Sequence, residues 1–365
     1  MIVNNAEAAE LDRIRIACQR LYNAALEQRR DAYCKQGKTV SRYTQQKELT
    51  ELRAAEPEYN AVAAVILRSP LVWLERAYRA FFRRVKQGGA PGFPRFRSRD
   101  RYDSFSFPRP VVSGALLQIP ALGGIRLRLY RPLKGKPLEA HIRKTAKGWE
   151  ASIVCDVGDA PAKVAVETST GIDVGLNRFS TFADGSETEN PRFYRKSETV
   201  LAGRSRRLQR KKRGSNSRRT AKRLVGAAHA KIRHQRLDFT RKLAKETVTQ
   251  YDLIAIEDLN IRGLARTRLA KSVTDAAWGL FAACLNFKAE EAGKTIVAVN
   301  PRGTSQRCSR CGEKVPKTLS ERWHNCPRCG LSIGRDHNAA INIHALGLSA
   351  VSRSVAKAAD LAEAS

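Results

Sequence analysis

Residues 307–343 read RCSRCGEKVPKTLSERWHNCPRCGLSIGRDHNAAINI, and two features there almost touch. Cys308, Cys311, Cys326 and Cys329 form two C-x2-C pairs with fourteen residues between them. Asp336 follows seven residues after the last cysteine, at the mouth of a helix-like run over 338–346. Four thiolates at this spacing suit one tetrahedral zinc ion. A full set of protein ligands makes such a site structural, because catalytic zinc keeps one position open. Gly312 and Gly330 follow the second cysteine of each pair, where a knuckle turn favours positive φ. Two disulfides would suit a secreted chain, but residues 1–5 run into Ala-Glu-Ala-Ala-Glu with no apolar signal-peptide stretch. With four cysteines available, His324 reads as a surface or nucleic-acid contact and not as a ligand.

Outward from this stretch, composition narrows the partners. At 365 residues the chain predicts two or three domains, and 42% hydrophobic content is enough for real cores. No apolar run approaches membrane-spanning length. Lys and Arg total 67 against 35 Asp and Glu, a formal net charge of +32. So large an excess calls for a polyanion, and nucleic acid is the obvious one; on charge alone a ribosomal or membrane-surface protein would serve as well. Cys18, Cys34, Cys155 and Cys284 are scattered and read as reduced thiols of a cytoplasmic, nucleoid-associated protein.

The front of the chain predicts three basic amphipathic helices. In 6–34, Leu11, Ile14, Cys18, Leu21 and Ala25 share one face while Arg13, Arg15, Arg20 and Arg29 lie elsewhere. The second covers 43–55. The third covers 69–87, with Leu71, Leu74, Tyr78, Phe81 and Phe82 inside and Arg76, Arg79, Arg83 and Arg84 outside. Gly88 to Gly92 breaks the pattern. Beyond it, Arg95, Phe96, Arg97, Arg99 and Tyr102 interleave rings with cations, as a nucleic-acid surface does, although rings in a strand can equally be core. Period-two alternation at Ile125, Leu127 and Leu129, then runs over 140–145 and 149–157, predict a barrel-like β module.

From residue 165 the pattern changes. An apolar strand over 168–176 carries Asp173 near its middle and turns back into a hairpin. Seven of the ten residues 204–213 are Arg or Lys, and a helix interrupted near Gly214 continues to about 249. Within it Arg204, Arg207, Lys211 and Lys212 are candidate nucleic-acid contacts, as are Arg302, Ser305 and Gln306 ahead of the first cysteine. A buried strand over 251–260 ends in Glu257 and Asp258; alternation lets only one of them face a shared site. A helix over 273–292 and a strand over 295–299 complete the region. Asp184 and Asp275 read as loop or capping residues.

Asp173, Glu257 and Asp336 each occupy a strand or helix boundary, where a half-buried carboxylate is costly unless paired or bound to cations. Strand Asp, hairpin, later strand Glu and final-helix Asp is the order that an RNase H-like sheet uses to gather three acids. Such a cluster holds two Mg²⁺ ions that activate water and stabilise the leaving oxygen of a phosphodiester.

GIDVGLNRFST, IAIEDLNIRGL, NPRGTSQRCSRCG and CPRCGLSIGRDHNAAINI resemble the signatures of the TnpB family, the RNA-guided nucleases of IS200/IS605-type transposons and ancestor-like relatives of type V CRISPR effectors. The upstream GAPGFPRFRSRDRYDSFSF also resembles that family. The resemblance implies a multidomain α+β chain: a helical recognition lobe over 1–88, a β-rich wedge over 89–164, and a split RuvC-like (RNase H-like) nuclease domain over 165–304 with the basic segment at 190–249. It further implies a zinc-binding target-strand-loading element over 305–332, a last RuvC segment over 333–350 and a tail over 351–365. Asp173, Glu257 and Asp336 would be the magnesium ligands of one site serving both strands. An omega-type guide RNA and double-stranded target DNA beside a short duplex motif would be the partners of a monomer. Two departures stand out: the family's first strand is shortened to Met1-Ile2-Val3, and Gly334-Arg335-Asp336 replaces Asp-Arg-Asp. A nuclease-inactive RNA-guided repressor, a guide-independent nuclease and a transposase are the competing functions; three intact acids speak against the first.

Overall fold

The computed structural model describes residues 1–318 and 320–363, with side chains described to residue 353. The chain forms two compact units, Met1–Gly158 and Asp159–Ser365.

In the first unit, α1 (Asn5–Gln36) opens on a reciprocal capping box, Asn4 accepting from the Glu7 N–H and Glu7 from the Asn4 N–H, and ends at Gly37, whose φ is 65°. α2 (Arg42–Ala55), α3 (Pro57–Asn60) and α4 (Ala64–Lys86) follow. α4 begins earlier than its charged face suggests, because Ile66 and Leu67 are buried with Leu71 and Leu74. The strands are β1 (Ser104–Pro108), β2 (Val111–Ser113), β3 (Leu116–Ile119), β4 (Gly123–Arg126), β5 (Lys136–Thr145) and β6 (Gly148–Asp156). Instead of a barrel, they form two three-stranded antiparallel sheets, β1-β5-β6 and β2-β3-β4. The alternation read through Leu129 stops with β4: Ile125 and Leu127 are buried, but Leu129 is exposed. Met1 to Val3 supply a single bridge, the Ile2 N–H donating to the Arg126 carbonyl at 2.8 Å. Leu11, Ile14 and Leu71 of the helices share one hydrophobic core with Phe105, Ile142 and Trp149 of the strands.

Arg15 and Arg29 are buried, contrary to the reading of α1 as wholly basic outside its apolar stripe. Arg15 donates to the carbonyls of Arg99 and Tyr102 and pairs with Asp12; Arg29 donates to Gln45 and pairs with Glu75. Each guanidinium satisfies buried acceptors that only the folded chain assembles.

The second unit is built on the sheet β11-β10-β7-β8-β9. Its strands are β7 (Ser169–Val174), β8 (Arg178–Phe182), β9 (Glu187–Glu189), β10 (Leu253–Glu257) and β11 (Thr295–Val299). β10 runs parallel to β7 and β11, and the hairpin β7-β8 is antiparallel. The basic segment is a helical hairpin, α5 (Phe193–Gln209) and α6 (Asn216–Gln250). Then come α7 (Ile261–Leu264), α8 (Ala270–Ala276) and α9 (Trp278–Glu291); Ala277, at φ 59°, breaks what the sequence suggests is one helix. β12 (Trp323–Asn325) and β13 (Ser332–Gly334) pair beside the cysteines, and α10 (Arg335–Glu363) closes the unit. The expected tail from 351 continues α10 to Glu363; Ala364 and Ser365 lie outside the described residues.

The two faces of the sheet have different covers. Ile172, Val174, Ile254 and Ile256 pack against Leu243 and Val248 of α6 and Phe281 and Leu285 of α9. On the other face, Ala255 and Val299 meet Ile343 of α10. Small residues bring α10 that close: a Cβ at Gly171 would collide with the Ala340 carbonyl oxygen, and one at Gly347 would press on Ala255. Among the described residues no helix is long and apolar enough to cross a membrane.

Candidate active site

Strand alternation decides which acids face α10. Ile172 and Val174 point into the core shared with α6 and α9, so Gly171 and Asp173 lie on the α10 side of β7. By the same rule Glu257 shares the face of Ala255, while Asp258 is exposed beyond the strand, its N–H donating to the Val299 carbonyl. Asp336 is in the first turn of α10, where the helix dipole favours a carboxylate.

Both other acids act on Asp173. Burial raises the Asp173 carboxyl well above the usual carboxylate range, and the negative charges of Glu257 and Asp336 raise it further, with only Arg335 opposing. Burial also pushes up Glu257, against the Thr304 hydroxyl that donates to its Oε1 at 2.7 Å. The carboxylates are less tightly gathered than the thiols: among the described residues, the one group of potential ligands whose atoms all lie within 4.8 Å of each other is the four cysteines. Burial and two neighbouring carboxylates both disfavour negative charge on Asp173, a penalty that divalent cations relieve, so these residues fit such ions.

Behind the acids, the loop 304–309 is tied to α10. Asn342 Nδ2 donates to the carbonyls of Thr304 and Arg307, both at 2.7 Å. Asn338 is fully buried; its Nδ2 donates to the Arg307 carbonyl at 2.7 Å, and its Oδ1 accepts from the Ser309 N–H at 2.9 Å. Sequence reading missed Thr304, Asn338 and Asn342. Two asparagines one turn apart in an apolar helix were the available signal, since buried amides require partners.

The same loop enters the cysteine cluster. Cys308 Sγ lies 3.6 Å from Cys329 Sγ, and Cys311 Sγ 3.5 Å from Cys326 Sγ. Tetrahedral zinc with bonds of about 2.3 Å spaces its sulfurs about 3.8 Å apart, so the cluster could hold such an ion. Gly312 and Gly330 have φ of 76° and 69°, as the knuckle pattern requires. Burial raises the Cys326 thiol, but the N–H groups of Cys329 and Arg328 outweigh it and bring it down to about 7. His324 is buried, not a surface contact: it sits on β12 with Nδ1 against Lys317 Nζ, and burial lowers its pKa.

The expected nucleic-acid contacts divide. Arg76, Arg79, Arg83, Arg95, Phe96, Arg97 and Arg99 are exposed in the first unit, and Arg207, Lys211, Lys212 and Arg302 in the second. Arg204, Ser305 and Gln306 are half-buried, Arg204 donating to the Leu224 carbonyl. Tyr102 is a core ring and no stacking platform: it is 1% exposed and packs against Tyr22 and Trp73. Residues 199–237 contain fourteen Lys and Arg and no Asp or Glu, which concentrates the charge on the α5–α6 hairpin.

Similarities to known proteins follow the same residues. A family model described as "Probable transposase" (OrfB_IS605) matches 152–268, and one for the TNB domain of Cas12f1-like proteins matches 278–343. A Streptomyces pristinaespiralis protein provisionally named an RNA-guided DNA endonuclease is 32% identical over 359 residues, covering 94% of this chain and 87% of that protein. InsQ of Escherichia coli K12, with the same provisional name, is 28% identical over 93% of this chain and 89% of its own length. Among solved structures, the Cas12f1 chain of a complex with sgRNA and target DNA aligns with a TM-score of 0.59 over 94% of this chain and 83% of that chain, at 15% identity; that likeness concerns the fold.

Proposed function

The chain belongs to the TnpB family of RNA-guided DNA endonucleases, and we propose that it cuts DNA where Asp173, Glu257 and Asp336 meet, directed by a guide RNA paired to the target strand. The observation that carries this reading is the Asp173 carboxyl, pushed up by burial and further by the charges of both other acids, which β10 and α10 bring beside it. Such mutual repulsion has no structural benefit by itself, and it is relieved when cations bind.

Asp173, Glu257 and Asp336 would hold two Mg²⁺ ions, which when bound supply an activated water and neutralise charge on the leaving oxygen. The chain's own groups prepare the site. β7 and β10 deliver two acids from adjacent parallel strands, and α10 brings the third from above. Arg335 adds positive charge beside Asp173, and the packed face of α10 excludes water from behind. An acid on the first strand of the sheet, one on a later parallel strand and one on the final helix support an RNase H-like, RuvC-type reading of this unit.

Four thiols at mutual distances suited to tetrahedral coordination support structural zinc at Cys308, Cys311, Cys326 and Cys329. The exposed arginines of the helices and loop in Met1–Gly158 suit a recognition lobe and wedge that grip nucleic-acid backbones. In a guided nuclease, base pairing reads sequence while protein reads backbone shape and a short motif, so a strongly basic hairpin is sufficient equipment.

The test is to purify the protein from cells carrying its native flanking DNA and to sequence the RNA that accompanies it. A discrete RNA ending in a variable segment is expected, and that segment names the target for a Mg²⁺ cleavage assay. Asp173→Ala, Glu257→Ala and Asp336→Ala should each slow cutting by at least about 10³-fold, roughly 4 kcal/mol of transition-state stabilisation, while guided binding persists. Heterogeneous RNA with unguided cutting would replace this reading with a guide-independent nuclease.

A further inference from the structure

Glu257 ends β10, and a glutamate there has three rotatable side-chain bonds with which to wander. Magnesium tolerates little wandering, because it demands near-octahedral ligands at about 2.0–2.1 Å. The partner that limits Glu257 is Thr304, itself 4% exposed. The Thr304 hydroxyl has one proton and two acceptors in reach, Glu257 Oε1 at 2.7 Å and the Pro301 carbonyl at 3.1 Å; the shorter, charge-assisted bond takes it.

Thr304 does not stand alone. Its carbonyl accepts from Asn342, the Arg307 carbonyl accepts from both Asn342 and Asn338, and the Ser309 N–H donates to Asn338. Asn338 and Asn342 are one turn apart on α10, and Asn338 is two residues past Asp336. Cys308, between Arg307 and Ser309, belongs to the cysteine cluster. One short loop therefore touches Glu257 at one end, enters the cysteine cluster at the other, and is fastened between them to the helix that carries Asp336.

We propose that Thr304, Asn338 and Asn342 are positioning residues that set the place of Glu257 relative to Asp336, with the cysteine cluster anchoring the far end of the strap. The proposal rests on the reading of the three acids as metal ligands. Its energetic basis is the one known for ligands held by outer partners, whose removal costs about 10–100-fold in metal affinity or activity. Asn342 hydrogen-bonds the loop carbonyls of Thr304 and Arg307 and, among the described residues, none of the acids, so an effect of its removal on metal binding is expected to travel through the loop.

The test uses the full chain loaded with guide RNA and reads Mn²⁺ binding by electron paramagnetic resonance, with guided DNA binding as the control for folding. Thr304→Val should weaken Mn²⁺ binding about 10–100-fold and leave guided binding unchanged; Thr304→Ser should restore it, and Asn342→Ala should weaken it in the same direction. If Thr304→Val binds Mn²⁺ as wild type does while Glu257→Gln loses it, the strap is overturned and the acids keep their role. If Thr304→Ser loses as much as Thr304→Val, the hydroxyl is not the agent and the inference fails. If Glu257→Gln itself binds Mn²⁺ normally, the assignment of the acids falls and takes the inference with it.

Discussion

Gly171 on β7 and Ala340 on α10 touch backbone to backbone. A Cβ at position 171 would collide with the Ala340 carbonyl oxygen and stand 2.8 Å from the Cα of His344. Asp173 lies two residues beyond Gly171 on the same face of β7, and Asp336 lies one turn before Ala340. The missing side chain at 171 is thus what lets the first and third acids approach.

Gly171→Ala should separate helix from strand. The obstructing atoms are backbone, which yields less than a side chain, so the cost should reach or exceed the roughly 1–3 kcal/mol of ordinary overpacking. Thermal melting checks it, and cleavage should fall by more than guided binding does. A variant with wild-type melting and cutting would show that this close approach does not set the site.

Asp173 carries a pH dependence whose sign can be worked out. Its carboxyl is raised above the ordinary value of 3.8, so the folded state binds more protons than the unfolded one from there upward, and stability is lost as pH rises through that window. Asp173→Asn removes the loss. In chelator, its melting temperature should exceed that of wild type by a margin that widens above pH of about 4, with roughly 2–4 °C expected per kcal/mol. Added Ca²⁺ should close the gap by stabilising the wild type. A constant gap across pH would mean that the carboxyl is not under strain.

Cys308→Ser should release zinc, which elemental analysis of wild type and variant compares directly. Structural zinc contributes on the order of 10 kcal/mol of binding free energy to small knuckles, so the 304–334 region should also lose protection from proteolysis. Unchanged zinc content would refute the four-thiolate site.

Replacing Arg207, Lys211 and Lys212 together with Ala leaves the fold alone, since all three are exposed. It should weaken nucleic-acid binding for every sequence and flatten the dependence of log K on log salt by about 0.7–0.9 for each phosphate that the protein no longer neutralises. An unchanged slope would place the polyanion elsewhere.

Much of this was legible locally. An acid inside each of two apolar strands, the hairpin after Asp173, the basic helical pair broken near Gly214, and the turn glycines of the C-x2-C pairs are patterns of short range, and each appears in the structure. Four residues misled: periodicity placed Arg15 and Arg29 outside, interleaving with cations placed Tyr102 there, and the complete cysteine set left His324 as a surface contact, yet each is buried. Arg15 goes inside because carbonyls at Arg99 and Tyr102, distant in sequence, need a donor. No local pattern announces such a need.

The sequence by itself determined the ingredients: a large positive charge, four cysteines at metal-knuckle spacing, and three acids on two strands and a helix, because spacing, periodicity and composition act within a few residues. Only the tertiary structure decided which acid of the pair Glu257 and Asp258 faces α10, that Asp173 is pressed by both of its partners, and that Thr304 holds Glu257 through a loop fastened by Asn338 and Asn342. Those relations arise when a parallel sheet and its last helix close over long sequence separations, where backbone approach at Gly171 and the demand of buried amides for partners select one arrangement.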